Sequence, residues 1–193
     1  CYGEDGRRYP GRGGGALGGL SGEGEDLLKG RPLFLLGFMG AGKTTVGSLL
    51  ARTLGCSFVD LDVLIVERVG KSIVDIFETE GEESFRRYET EALESVAEGA
   101  MVVATGGGVV TREENWKVLN KGITVALMAS PEVLMRRLGR GEGRPLLHDE
   151  KDWRELLNER ESLYMRAQLV IDTTCLTPEE VVDCILGALE EGL

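Results

Sequence analysis

Residues 34–51 read FLLGFMGAGKTTVGSLLA, and this stretch sets the fold. A short apolar run from Leu33 enters a loop with three glycines, after which Lys43, Thr44 and Thr45 open an apolar-rich helical pattern. The spacing Gly37-x-x-x-x-Gly42-Lys43-Thr44 is that of a phosphate-binding loop between a strand and a helix. Glycines let the backbone turn tightly and aim N–H groups inward, and the helix N-terminus adds a dipole that favours negative charge. The expected ligand is a nucleoside triphosphate, with Lys43 reaching its β and γ phosphates and the Thr44 hydroxyl on Mg²⁺. An ordinary glycine-rich turn would not explain the GKT ending together with the strand before it and the helix after it.

The rest of the composition narrows the class. The chain has 193 residues, enough for one domain with a sizeable core and no metal or disulfide staples. A formal net charge of -11 argues against a general nucleic-acid binder, which usually carries a basic face. Anions must instead be met by local arginines, which gather at Arg86 and Arg87, from Arg136 to Arg144, and from Arg154 to Arg166. The four cysteines have no CxxC spacing, so neither a zinc site nor a disulfide framework is indicated. No apolar run has the length of a membrane span and no secretory signal is visible. The expectation is a soluble cytoplasmic protein without membrane or nucleic-acid partners.

Residues 1–30 differ in kind, holding 11 of the 28 glycines and almost no apolar periodicity. Such a segment buries too little surface to offset its ordering entropy, so it is expected to be a disordered leader. From residue 31 to 193 short apolar runs alternate with amphipathic stretches. Strands are expected at Leu33–Gly37, Ser57–Asp60, Met101–Ala104, Ile123–Met128 and Leu169–Asp172. Helices are expected at Lys43–Leu54, Leu61–Val69, Ser72–Glu98 with a break at Gly81, Arg112–Leu119, Pro131–Leu138, Lys151–Arg166 and Pro178–Leu189. Ser130 before Pro131, and Thr177 before Pro178, mark helix starts. This alternation predicts a three-layer α/β/α domain on a five-stranded parallel sheet, with ligands at the carboxyl ends of the strands.

A phosphate-binding loop leaves the reaction open among GTPases, motor ATPases and small-molecule kinases. The segment Asn120 to Ile123 reads NKGI, lacking the aspartate of an NKxD guanine element, and the length leaves no coupling domains. Small-molecule kinases remain. Over nearly all of residues 31–191 the chain resembles the shikimate kinase family, through GFMGAGKTT, FVDLD, ESFRRYE, ATGGGVV, RPLL and RESLY in that order. The resemblance implies a phosphate-loop kinase fold with a mobile lid at about 137–150. It also implies transfer of the γ-phosphoryl group of ATP, with Mg²⁺, to the 3-hydroxyl of shikimate, and it leans towards a monomer.

Each motif also has a reading of its own. FVDLD puts Asp60 and Asp62 at and just past a strand end, where alternation would turn both carboxylates the same way; the plain alternative is that they cap the next helix. The resemblance assigns Asp60, with Thr44, to the metal, and Asp62 to the acceptor hydroxyls as a catalytic group beside Lys43 and Arg144. Gly40, Ala41, Gly42, Lys43, Thr44 and Thr45 would hold the nucleotide phosphates.

An arginine inside a helical pattern, as in ESFRRYE, is usually a solvated face, but a carboxylate substrate needs a planar, always-charged fork. The resemblance gives that role to Arg86, with Glu89 one turn on and Phe77 and Phe85 shaping the pocket; Arg87 is left to the surface. Three glycines straight after a strand are costly unless backbone must approach something closely, so Gly106, Gly107 and Gly108 are expected to bring N–H groups to substrate oxygens. The segment RRLGRGEGRPLLHDE mixes glycine and arginine as a lid does. There the resemblance places Arg144 on the phosphates and Arg137 on the adenine ring, while His148 has no task. The segment NERESLY offers Arg160 as the second carboxylate clamp, four residues before Tyr164 and so on its face of the helix, with Arg166 as an alternative. Ser162 stands where the family commonly has proline.

A gluconate or nucleoside monophosphate kinase, and a relative that binds without catalysis, are the other readings. The last predicts loss of Lys43, Thr44, Asp62 or Arg144, and all four are present.

Overall fold

The computed structural model describes residues 26–138 and 150–193. Five strands, β1 (Leu33–Leu36), β2 (Ser57–Asp60), β3 (Met101–Ala104), β4 (Ile123–Met128) and β5 (Leu169–Asp172), form one sheet in the order β2-β3-β1-β4-β5. Every neighbouring pair is parallel. The strands fall where the apolar runs put them, with β1 ending one residue sooner. Central β1 is buried at all four positions, as a strand covered on both faces must be, so its sequence LFLL shows no alternation. Edge strand β2 is only partly covered.

The helices of the described residues are α1 (Lys43–Leu54), α2 (Leu61–Val69), α3 (Ile73–Glu94), α4 (Glu113–Leu119), α5 (Pro131–Leu138), α6 (Glu150–Tyr164) and α7 (Pro178–Glu190). The step from β1 to β2 runs across the sheet in one direction and the later steps run in the other. Right-handed crossovers therefore put α1 on one face and α3 to α6 on the opposite face. Helix α7 returns to pack on α1, and α3 packs on α4. Three layers result.

Capping explains where helices begin. Ser72 and Asp75 form a reciprocal capping box at the start of α3, and Thr177 and Glu180 form another at α7 ahead of Pro178. Helix α3 is interrupted at Gly81, whose φ of 80° and ψ of 170° suit a residue without Cβ. It stops at Glu94, four residues before the expected end. Helix α4 begins after Arg112, which is its cap, and α6 ends at Tyr164, two residues early.

The described chain starts five residues ahead of position 31, where the composition change sets the expected domain start. Leu28 is fully buried in the main apolar core. Residues 1–25, and most of the expected lid, lie outside the described residues. Among the described residues no helix is long and apolar enough to cross a membrane.

Candidate active site

The carboxyl ends of β1, β2 and β3 open into one cavity of about 670 Å³. Its walls come from the loop after β1, the two aspartates after β2, one face of α3, the glycines after β3, and single arginines from α5 and α6.

At one end the phosphate-binding loop turns into α1 through Gly42, whose φ of 99° marks it as left-handed. Lys43 lies back over this loop, its Nζ donating to Gly37 O at 2.8 Å and Phe38 O at 3.0 Å. Thr44 Oγ1 donates to Asp60 Oδ2 at 2.8 Å, and the other Asp60 oxygen accepts from Asp62 N at 3.0 Å. Asp60 thus caps α2 and meets Thr44 at once, so its two readings are compatible. Asp62 is half-buried on the cavity wall. Gly40, Ala41 and Thr45 line the same end.

Arg137 also lies here. Its guanidinium donates to Thr173 Oγ1 at 3.2 Å, to Thr173 O at 3.1 Å and to Ala41 O at 3.5 Å. Thr173 is further tied to Met128 O at 3.0 Å, so α5, the phosphate loop and the ends of β4 and β5 are joined through one arginine.

At the other end α3 presents Arg86, which is 6% exposed. Its Nη1 donates to Glu89 Oε2 at 2.8 Å and its Nη2 to Glu82 Oε1 at 3.0 Å. Burial opposes the charge on Arg86, but the two carboxylates outweigh it and keep the guanidinium firmly protonated. Glu89 has no exposure, and its Oε1 lacks a hydrogen-bond partner among the described residues. Burial pushes its carboxyl above the ordinary range, against the pull of Arg86 and with the help of nearby Asp62. Arg160, on α6, is 5% exposed and faces the same cavity. Burial, and then the like charge of Arg86, lower its hold on its proton, although Tyr164 offsets part of this. Phe77 and Phe85 pack with ring centroids 4.8 Å apart and line this end.

The three glycines after β3 are hemmed in by these side chains. A Cβ on Gly106 would collide with Glu89 Oε1, and one on Gly108 with the Arg86 guanidinium. Their carbonyls are engaged within the protein: Gly106 O accepts from Val109 N at 3.3 Å, Gly107 O from the Tyr164 hydroxyl at 2.6 Å and Gly108 O from Thr111 N at 3.0 Å. Thr105, just before them, anchors the loop to Leu35 O through both its N–H and its hydroxyl.

The cavity therefore gathers every expected site residue that is described, including Arg160 despite Ser162. Arg144 and His148 lie outside the described residues. Arg166 is elsewhere: it pairs with Glu113 and lies over the Trp116 ring at 4.1 Å. Arg87 is exposed, 4.0 Å from Glu91. Thr105, Thr173 and Glu82 are the residues sequence reasoning missed. Thr105 and Thr173 directly follow strands at the ligand edge, which is a positional signal; Glu82 gives none.

The family model for shikimate kinase matches residues 39–190. The chain belongs to the shikimate kinase family. A shikimate kinase of Synechococcus sp. (strain CC9605) is 45% identical over 167 residues, 84% of each chain. One from Geobacter metallireducens is 48% identical over 165 residues, 83% of this chain and 92% of that one. Among solved structures, shikimate kinase from Acinetobacter baumannii in complex with shikimate has a TM-score of 0.83 at 38% identity, covering 88% of this chain and 99% of that one. A gluconokinase from Sinorhizobium meliloti shares the fold alone, at 20% identity and a TM-score of 0.55. Family membership puts the chain among phosphate-loop kinases and takes it out of the GTPases and motor ATPases.

Proposed function

We propose that this protein transfers the γ-phosphoryl group of ATP to the 3-hydroxyl of shikimate, giving shikimate 3-phosphate and ADP. The observation that carries the reading is the single cavity that joins a phosphate-binding loop to two buried arginines, with Asp62 on its wall. Phosphoryl transfer through a loose transition state needs chiefly positioning and charge. In this reading Lys43 leaves the loop carbonyls for the β and γ phosphates. Arg137 lies along the adenine, beside the apolar Leu176, Pro178 and Val181 of the same cavity end.

Arg86 and Arg160 hold the substrate carboxylate, two forks that planar, charged recognition favours. Asp62 orients the attacking hydroxyl and receives its proton late in the transfer. Glu89 Oε1, which has no hydrogen-bond partner among the described residues, takes a substrate hydroxyl, and the N–H groups of the three glycines meet substrate oxygens. Arg144 acts on the phosphates from the lid.

The pair Thr44 and Asp60, a hydroxyl and a carboxylate 2.8 Å apart beside the phosphate loop, suits a hard cation that prefers oxygen ligands. Mg²⁺ held there supplies positive charge to the β and γ phosphates. A monomer in the cytoplasm completes the reading, on the family resemblance.

ADP release with MgATP, followed in parallel with shikimate, gluconate, a nucleoside monophosphate and no acceptor, tests it. Release that depends on shikimate is expected. Release with another acceptor in place of shikimate, or ATP binding without turnover on any, would contradict it.

A further inference from the structure

Tyr164 is fully buried, and its hydroxyl meets polar partners on two sides. It donates to Gly107 O at 2.6 Å. The Arg160 guanidinium, one helical turn back on the same face of α6, acts electrostatically on this hydroxyl. A phenol has a single proton to give, and a guanidinium has donors only. With the proton on Gly107 O, the phenol oxygen is left only as an acceptor, which suits the donors of Arg160 on the same face of α6.

The two cavity arginines are held by different chemistry. Arg86 sits against the carboxylates of Glu82 and Glu89, which fix it and also answer its charge. The phenol beside Arg160 fixes direction without bringing a counter-charge. Burial drives the Tyr164 hydroxyl well above its ordinary value, so it stays a neutral phenol at any working pH.

We propose that Tyr164 is a positioning residue: its hydroxyl aims Arg160 at the substrate carboxylate while leaving that arginine's charge for the substrate, and it couples this aim to the Gly107–Gly108 peptide. The proposal rests on the reading of Arg160 as a carboxylate clamp. The coupling follows from peptide geometry. No cis bond occurs among the described residues, and the C=O and the following N–H of a trans peptide point in opposite directions. Anchoring Gly107 O on Tyr164 therefore turns the Gly108 N–H away from it.

Steady-state kinetics of the full chain with Tyr164→Phe tests this. The KM for shikimate is expected to rise roughly tenfold, as for one lost hydrogen bond to a charged group. The KM for ATP is expected to hold, and kcat to fall by no more than about threefold. Equal losses for both substrates, a loss confined to kcat, or an unchanged shikimate KM would overturn the proposal. Should the variant fail to fold, the wild-type chain labelled with ¹³C at the tyrosine ζ carbon serves, its signals assigned by replacing Tyr2, Tyr9 and Tyr88 singly with Phe. Shikimate is expected to shift the Tyr164 signal and ATP alone to leave it; a signal unmoved by shikimate would overturn the proposal. Wild-type chain that shows no turnover of shikimate would instead bring down the functional reading itself.

Discussion

Gly108 leaves the space that the Arg86 guanidinium occupies: a Cβ on the glycine would overlap its terminal nitrogens. Two segments far apart in the chain thus depend on one missing side chain. A methyl group there must displace a guanidinium that two carboxylates hold in place. Gly108→Ala is therefore expected to raise the KM for shikimate by on the order of tenfold to a hundredfold, with the KM for ATP nearly unchanged. Steady-state kinetics with each substrate varied in turn checks this, and equal effects on both would count against it.

Lys43 is the loop's own cation, resting on the carbonyls of Gly37 and Phe38. Removing it takes away charge that the transferring phosphoryl group needs. Lys43→Ala is expected to lower kcat by at least about 10²–10³. The fold should survive, because the side chain is only half-buried. Near-normal turnover in a variant with an intact circular dichroism spectrum would remove Lys43 from the site.

Glu89 links the site to pH. The folded protein holds its proton more tightly than the unfolded chain does, mainly because of burial. Its contribution to stability is fully present below the ordinary value of 4.5 and is lost as pH rises through the raised folded value. Wild type is thus expected to lose stability relative to Glu89→Gln over the pH range that begins at 4.5. Urea midpoints of both proteins across that range measure it, and a difference that stays flat would be the contrary result.

Leu28 is fully buried although it precedes the expected domain start. Leu28→Ala is expected to cost about 2–5 kcal/mol of stability, read from urea unfolding. A loss near zero would show that this residue adds nothing to the core.

Much of this was legible in the chain because strands and helices here carry strong local patterns. The five apolar runs became the five strands, and Gly81 broke α3 as its place in the helical pattern foretold. Leu28 escaped because two leucines among glycines and acids show no periodicity, and only the folded core gives them a partner. The glycines after β3 were legible as a site of close approach. That Glu89 and Arg86 are what crowd Gly106 and Gly108 was not, since those contacts join segments that no local pattern relates. The same holds for the Tyr164 hydroxyl on Gly107 and for Arg137 on Thr173. Arg160 and Arg166 could not be separated by spacing alone; the end of α6 at Tyr164 leaves Arg166 on Glu113 and Arg160 in the cavity.

The most direct test of the central claim is where the phosphoryl group goes. Shikimate and MgATP are incubated with the full chain, and the product is examined by ³¹P NMR with coupling to the ring protons. One phosphate ester is expected, on the 3-hydroxyl, formed in step with ADP. A phosphate on another hydroxyl, or free phosphate with unchanged shikimate, would contradict it.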